Sequence, residues 1–495
     1  MPTLTAEAFT ATLALVGIVV IVSSLLSGAV ERSGLPQVAI FLLLGVAVGP
    51  AGLGLLDLSL QSPALRVIAT LGLVLVLFSD AISMDVAEVR QQRRLALLVL
   101  GPGTLIPAAL IALAAWWLLD LAPAAAAVLG AALASTDPVL LRSLLRSKAL
   151  PATTRLALRL ESGMNDVVLL PVVLLSMLAL PAGEAAHGHG PTNPTRMVVG
   201  LFLLGPGAGV LVGWAAITLM DRVRKGAGVR RDYESLYALG VALTAYAIAE
   251  FAGGSGFLAA FAAGLTIAAL DVELCDCFLD YGEATAEMFL LLTFVAFGAS
   301  LIWTGLDVLD VRTLLFAAVA LGARTLVQLP VLRASGLPPH DRKLIAWLGP
   351  RGLSTLLLVL LPVFAGVTGS ERLFTVSCLV VLISVVAHGG GIALFMRRAA
   401  PHPTPATVET PAAPPPAGAP TPDAAPVPEK IALEELRRLQ AAGEPVIVLD
   451  VRTERTYGAD GTRAKGAIRL PPDDAVRQAA ALAVPRGATL AAYCT

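Results

Sequence analysis

Long apolar runs of about twenty residues, separated by short loops rich in Gly, Pro and Arg, follow one another from residue 8 to residue 396. A run of that length crosses the hydrocarbon core of a bilayer as a helix, so each is a candidate span. The runs fall at 8–30, 36–56, 64–82, 95–119, 122–145, 157–180, 197–220, 235–253, 255–271, 284–304, 311–333, 344–366 and 373–396. This pattern predicts an all-α polytopic membrane protein with about thirteen transmembrane helices. The border between the eighth and ninth rests on Gly253-Gly254 alone. The first run is long enough to span and lacks a basic stretch before it, unlike a cleavable signal peptide.

Composition sharpens that picture. Only 14% of the 495 residues are charged, against roughly a quarter in soluble proteins, and the deficit lies almost wholly before residue 400. Alternate loops collect the cations: Arg90, Arg93 and Arg94; Arg142, Arg146, Lys148 and Arg155; Arg222, Arg224, Lys225, Arg230 and Arg231; Arg333, Arg342 and Lys343; Arg397 and Arg398. The loops between them hold isolated cations such as Arg66, Arg196, Arg312 and Arg372. Cytoplasmic loops carry the Lys and Arg excess, so the N-terminus is expected outside and the C-terminal tail in the cytoplasm, in a bacterial inner membrane. The acidic segment with Asp271, Glu273, Asp276 and Asp280 falls on a cytoplasmic loop, but acidic residues weigh little in that rule. The net charge of −1 gives no reason to expect nucleic acid. Cys275, Cys277, Cys378 and Cys494 make neither a disulfide framework nor a zinc spacing.

Ionisable residues inside spans cost about 2.5–3.5 kcal/mol each unless paired or wet, which marks them as functional candidates. Asp80, Asp137, Glu161, Asp166, Arg324 and Arg351 stand out. Asp137 lies in Ser135-Thr136-Asp137-Pro138 within an apolar run, and Pro138 both removes a backbone donor and disfavours helix at the residue before it. Gly349-Pro350-Arg351-Gly352 interrupts a later run in the same way, with a cation in place of the anion. Broken helices at matching places in two halves point to a midplane transport site, and the exposed half-helix ends bind ions or are balanced by side-chain charge. The plainer alternative is a Pro-kinked span whose end charge snorkels.

In Glu161-Ser162-Gly163-Met164-Asn165-Asp166, Ser162 and Asp166 project from one helix face and Glu161 and Asn165 form the neighbouring stripe. Carboxylate, hydroxyl and amide oxygens are hard ligands that suit an alkali cation. Burial favours the protonated form of a carboxylate and a bound cation favours the ionised form, so ion and proton compete for one group. A structural hydrogen-bond network is the alternative. Arg324, near the middle of the 311–333 run, needs a carboxylate partner. Glu161 is the best candidate, leaving Asp166 for exchange.

Together Thr136-Asp137-Pro138, Glu161-Ser162-x-x-Asn165-Asp166 and Gly349-Pro350-Arg351-Gly352 resemble the monovalent cation:proton antiporter superfamily. Leu43-Leu44-Gly45-Val46-Ala47-Val48-Gly49-Pro50 and Gly254-Ser255-Gly256-Phe257-Leu258-Ala259 agree, and the similarity covers residues 8–398. Asn165-Asp166 resembles the electroneutral sodium–proton exchanger branch, where an Asp-Asp pair would mark the electrogenic one. The resemblance implies inverted repeats with two crossed broken helices, one cation exchanged per proton, an elevator-like alternating access and a homodimer. It implies that Asp166 alternately holds Na⁺ and H⁺, with Asp137, Thr136 (through its carbonyl), Ser162 and Asp80 helping to coordinate the ion. Glu161–Arg324 and Asp137–Arg351 would be structural ion pairs supporting Asn165 and the crossing.

After Arg398 the composition changes. Residues 399–428 are a Pro/Ala-rich linker, and 429–495 read as a small, incomplete α/β unit. A short helix is expected over Ile431–Gly443 and strands at Val446–Leu449 and Leu490–Cys494. Leu449-Asp450-Val451-Arg452, Gly466-Ala467-Ile468 and a strand delivering Cys494 resemble a rhodanese-like domain. In that family the cysteine opens an anion-cradling loop that would lower its pKa. Here the chain ends at Thr495, so half a domain is expected, from a truncation or from a selenocysteine codon read as stop.

The leading expectation is a transporter, not an enzyme, needing no cofactor. It exchanges Na⁺, with K⁺ and Li⁺ as alternatives, for H⁺ across the bilayer in the service of pH homeostasis. A cation channel or regulated K⁺ efflux protein, and a membrane-tethered sulfurtransferase or sulfur-sensing module, are the other classes.

Overall fold

The apolar runs fold as helices that begin where the sequence supplies proline or a capping side chain. Proline at the first helical turn costs no hydrogen bond. It opens α2 (Pro63–Ile82), α5 (Pro102–Leu118), α6 (Pro123–Ala134), α7 (Pro138–Arg146) and α15 (Pro339–Trp347). Asp310 caps α14 (Val311–Val331) by accepting the Thr313 N–H at 2.6 Å. The remaining helices are α1 (Gln37–Val48), α3 (Val86–Gln91), α4 (Arg93–Leu100), α8 (Ala152–Met177), α9 (Pro194–Val199), α10 (Gly205–Gly226), α11 (Arg231–Phe251), α12 (Gly256–Ala269), α13 (Asp276–Ala299), α16 (Leu353–Phe364), α17 (Ser370–Ser384) and α18 (Gly390–Ala399).

This computed structural model describes residues 37–54, 58–84, 86–146, 150–180, 194–226, 231–270 and 276–399, with 17, 21 and 25 before them. In the tail it describes 436, 438–439, 446–452, 464, 466–470 and 489–493. The chain divides into two units, Met1–Pro403 and Thr404–Thr495.

Among the described residues, seven helices are long and apolar enough to cross a membrane, or eight if Met288–Ala299 and Leu301–Val308, bent by 50°, count as one span. Shorter apolar helices, α1, Leu236–Phe251, α12 and α16, fill other expected runs. The first expected span, 8–30, lies almost wholly outside the described residues. Outward-facing apolar side chains such as Trp117 (81% exposed) and Phe251 (95% exposed) would be costly in water and are at home against lipid.

Within the first unit the helices sort into two bundles. α1, α2 and α10–α13 pack on one another; α4, α5, α6, α8 and α14–α17 pack on one another. The bundles meet where α2 touches α8 and α16, α13 touches α16 and α1 touches α7, and where Leu301–Val308, which follows α13, packs on α17. In the second unit β1 (Val446–Asp450) lies between β2 (Ile468–Arg469) and β3 (Thr489–Tyr493) in a parallel sheet, order β2-β1-β3. Strands β1 and β3 fall on the two expected apolar segments; the expected helix lies mostly outside the described residues.

Candidate functional site

Two spans of the second bundle come apart at mid-course. α6 ends at Ala134 and α7 starts at Pro138; α15 ends at Trp347 and α16 starts at Leu353. The unwound segments between them cross, and the Asp137 N–H donates to the Pro350 carbonyl at 3.0 Å. Unwinding strands carbonyls at one helix end and N–H groups at the other, and the two charged residues serve them reciprocally. The Arg351 guanidinium donates from Nη1 to the carbonyls of Ala134 (2.7 Å) and Ser135 (2.9 Å), the C-terminal end of α6. The Asp137 carboxylate accepts the N–H of Leu353 (2.7 Å) at the start of α16 and of Val139 (2.8 Å) at the start of α7. A cation thus sits on a negative helix end and an anion on two positive ones. Gly352 permits this closeness: a Cβ there would lie 1.8 Å from Asp137 Oδ2.

α8 passes the crossing and distributes its polar side chains by angle. Glu161 and Arg324 of α14 form a bidentate pair, Nε–Oε1 and Nη2–Oε2 both at 2.5 Å. Both are almost fully buried. Arg324 also donates to the Ala346 carbonyl at 2.7 Å, which ties this pair to the end of α15. Asn165 Nδ2 donates to Thr136 Oγ1 at 2.7 Å, and its buried Oδ1 has no hydrogen-bond partner among the described residues. Asp166, 3% exposed, accepts from Ser135 Oγ at 2.5 Å and from the Ser354 hydroxyl. One hydroxyl comes from each broken helix. A carboxylate held this way can take up a desolvated cation or a proton, since the groups that hydrogen-bond it are neutral donors that also carry lone pairs.

Ser162, one turn before Asp166 on the same face, opens on a cavity of about 230 Å³ that it shares with Ser79, Asp80, Gly163 and Pro138. Ser83, Glu88, Arg155 and Arg159 complete its polar wall, and Arg159 reaches the surface. Asp80, near the C-terminal end of α2, is half-buried and faces α8 across Gly163, where a Cβ would stand 3.5 Å from the Asp80 Cβ. The cavity therefore lies between the bundles.

The structure brings Asp80, Thr136, Asp137, Glu161, Ser162, Asn165, Asp166, Arg324 and Arg351 into one region. Cys494 lies outside the described residues. Three participants had gone unnamed as site residues: Ser135, Ser354 and Ser384, whose Oγ accepts the Arg351 N–H at 2.7 Å and contacts His388 Nδ1 at 3.2 Å. Ser135 stood within a quoted motif; a hydroxyl in an apolar run gives no other signal.

Comparison with known proteins is consistent with this geometry. The family model described as sodium/hydrogen exchanger, transmembrane, matches residues 18–398. A K(+)/H(+) antiporter, NhaP2, of Shewanella oneidensis is 27% identical over 394 residues, 78% of this chain and 67% of the relative. A Na(+)/H(+) antiporter, NhaG, of Bacillus atrophaeus is 25% identical over 355 residues, 67% of this chain and 63% of the relative. The solved sodium proton antiporter MjNhaP1 of Methanocaldococcus jannaschii superposes with a TM-score of 0.63 at 18% identity, covering 77% of this chain and 99% of that one.

Proposed function

We propose, from the premise that this chain belongs to the sodium/hydrogen exchanger family, that Asp166 is the group through which it exchanges an alkali cation for a proton. Membership makes the protein a multi-pass membrane transporter, a cation/proton antiporter and not an enzyme. The observation that carries the assignment to Asp166 is its surroundings. Glu161 has Arg324, and Asp137 and Arg351 offset one another's sign through the crossed helix ends. Asp166 is met by neutral hydroxyls, so its charge is left for Na⁺, K⁺ or H⁺ to neutralise. Thr136, Ser162 and Asp80 supply further oxygens on the path from the cavity.

The same arrangement supports one cation per proton. If either species neutralises the same carboxylate, the site carries equal charge in both half-cycles, and a membrane voltage does no net work on it. The two bundles supply parts that can slide past one another, as an elevator-type alternating access in a homodimer requires. The cavity lies at the end of α2 followed by Arg90, Arg93 and Arg94, which the positive-inside rule places on the cytoplasmic side; the site then faces inward. K⁺ is a second reading for the cargo, favoured by the names of the Shewanella relatives.

The test is ion-dependent dissipation of a pH gradient in proteoliposomes, comparing Na⁺, K⁺ and Li⁺. Asp166→Asn keeps shape and hydroxyl partners but loses the exchangeable charge, and its rate should fall to that of empty liposomes. Exchange at the wild-type rate would remove Asp166 from the mechanism. An imposed voltage should leave the wild-type rate unchanged if exchange is electroneutral.

A further inference from the structure

At the end of α2 away from the cavity, an arginine reaches from one bundle to the other. Arg66 Nη2 donates to the Phe364 carbonyl at 2.5 Å, and its guanidinium lies over the Phe364 ring, 5.2 Å from the centroid. Phe364 is the last residue of α16, where carbonyls lack intrahelical donors and the helix dipole is negative. The turn bonds that close this helix use the carbonyls of Leu361, Pro362 and Val363, so the cation serves an oxygen left over. Beside it the Gln61 amide reaches Glu371 of α17 at 3.4 Å.

Position gives the contact its meaning. Arg66 and Asp80 stand fourteen positions apart on α2, about 21 Å along a helix axis. Phe364 and the Asp137–Leu353 bond occupy the two ends of α16, about 18 Å apart. α2 thus lines a polar cavity with α8 at one end and meets the end of α16 through Arg66 at the other. A face can open at the Arg66 end only if α2 and α16 part there.

We propose that Arg66 is the latch of that second face: a positioning residue that holds the cavity-open arrangement and sets how often the site turns to the opposite side. This rests on the reading that exchange requires the bundles to slide. While the latch is shut, cation offered at the Arg66 face finds no site, and its apparent affinity there is reduced by the fraction of molecules that are unlatched.

The experiment uses the full chain in proteoliposomes. In Gln61→Cys/Glu371→Cys, a short bifunctional thiol reagent should bring exchange below about a tenth of its rate, with recovery on reduction, while each single variant under the same treatment keeps its activity. In Arg66→Gln, the KM for Na⁺ or K⁺ offered on the cavity face should rise about three- to tenfold and fall on the Arg66 face, because a hydrogen bond from a charged donor is lost. Arg66→Lys should lie between, and Phe364→Leu, which removes only the ring, should shift both values in the same direction by less. If the cross-linked protein exchanges at full rate, sliding itself is refuted. If cross-linking blocks exchange but Arg66→Gln and Phe364→Leu keep wild-type KM values on both faces, sliding stands and the latch is refuted.

Discussion

Replacing Arg324 with methionine should damage the protein far more than replacing Arg324 and Glu161 together. Glu161 is 3% exposed and Arg324 2% exposed, and the two share a pair of bonds at 2.5 Å. Removing one partner of such a pair leaves a buried charge without compensation, at about 3–5 kcal/mol. The lost bond to the Ala346 carbonyl adds little, because Thr325 Oγ1 donates to the same oxygen at 2.9 Å. Replacing both partners with methionine removes both charges and fills similar volume, which in buried pairs is often close to neutral. A double-mutant cycle should therefore show a coupling of at least about 3 kcal/mol. The readout is the fraction of detergent-solubilised protein that stays monodisperse after a heating series, with the four variants ranked. Additive damage, with the double variant worse than either single one, would refute mutual neutralisation. Exchange gives a second readout. A Cβ at Gly349 would fall 2.5 Å from Arg324 Cδ and Nε, so the guanidinium also backs the unwound segment, and the stable double variant should still exchange slowly.

Three further outcomes follow from the site and the tail. Gly352→Ala drives a methyl into Asp137 Oδ2, breaks the cap on Leu353 and should cost about 1–3 kcal/mol with loss of exchange; Gly240→Ala, whose Cβ would meet nothing within 4 Å, is the control and should be silent. If proton and cation compete for Asp166, as proposed, the KM for the cation should climb as pH falls, by up to about tenfold per unit, at constant maximal rate; a KM that ignores pH in a flux assay would contradict single-carboxylate exchange. In the tail, hydrogen bonding by Arg452, and then by the Tyr493 hydroxyl, holds the Asp450 carboxyl well below the usual carboxylate range. A lowered folded value adds stability that is present above the unfolded pKa near 3.9 and is lost as pH falls through the folded one. The sheet should then resist protease at pH 4, and Arg452→Met should move its loss to higher pH; an unmoved profile would show that Arg452 is not the cause.

The sequence betrayed the site where burial is expensive. Glu161, Asp166 and Arg324 were visible because a charge in an apolar run needs an explanation, and Glu161–Arg324 follows from counting deep charges of opposite sign. At Asp137 and Arg351 the signs and the need to balance the broken helix ends were legible; which backbone groups each charge meets was not. The pattern calls for neutralisation, and helix ends supply it as well as side chains do, so the bonds seen at this crossing run from each charge to backbone. Ser135 and Ser354 were silent because hydroxyls cost little in a helix and any apolar span tolerates them. Hydropathy located the runs, and Pro138 and Gly349-Pro350 located their breaks: α6 and α16 are 12 residues each, too short to cross alone, because each is half of a broken span.

Glu161 and Arg324 are separated by 163 positions, and Arg351 follows Ala134 by 217. A ribosome adds about 5–20 residues per second, so Arg324 emerges between about 8 and about 33 s after Glu161. Through that interval Asp137, Glu161 and, five residues later, Asp166 have emerged and neither arginine has. An unpaired ionised side chain at the helix centre opposes insertion by about 2.5–3.5 kcal/mol, so α6 and α8 enter the bilayer either protonated or held at its wet edge. Their final placement belongs to a late step of biogenesis, when α14 and the segment between α15 and α16 arrive with the missing cations. A nascent chain stalled before Arg324 should be recognisable to membrane quality control by those exposed acids alone.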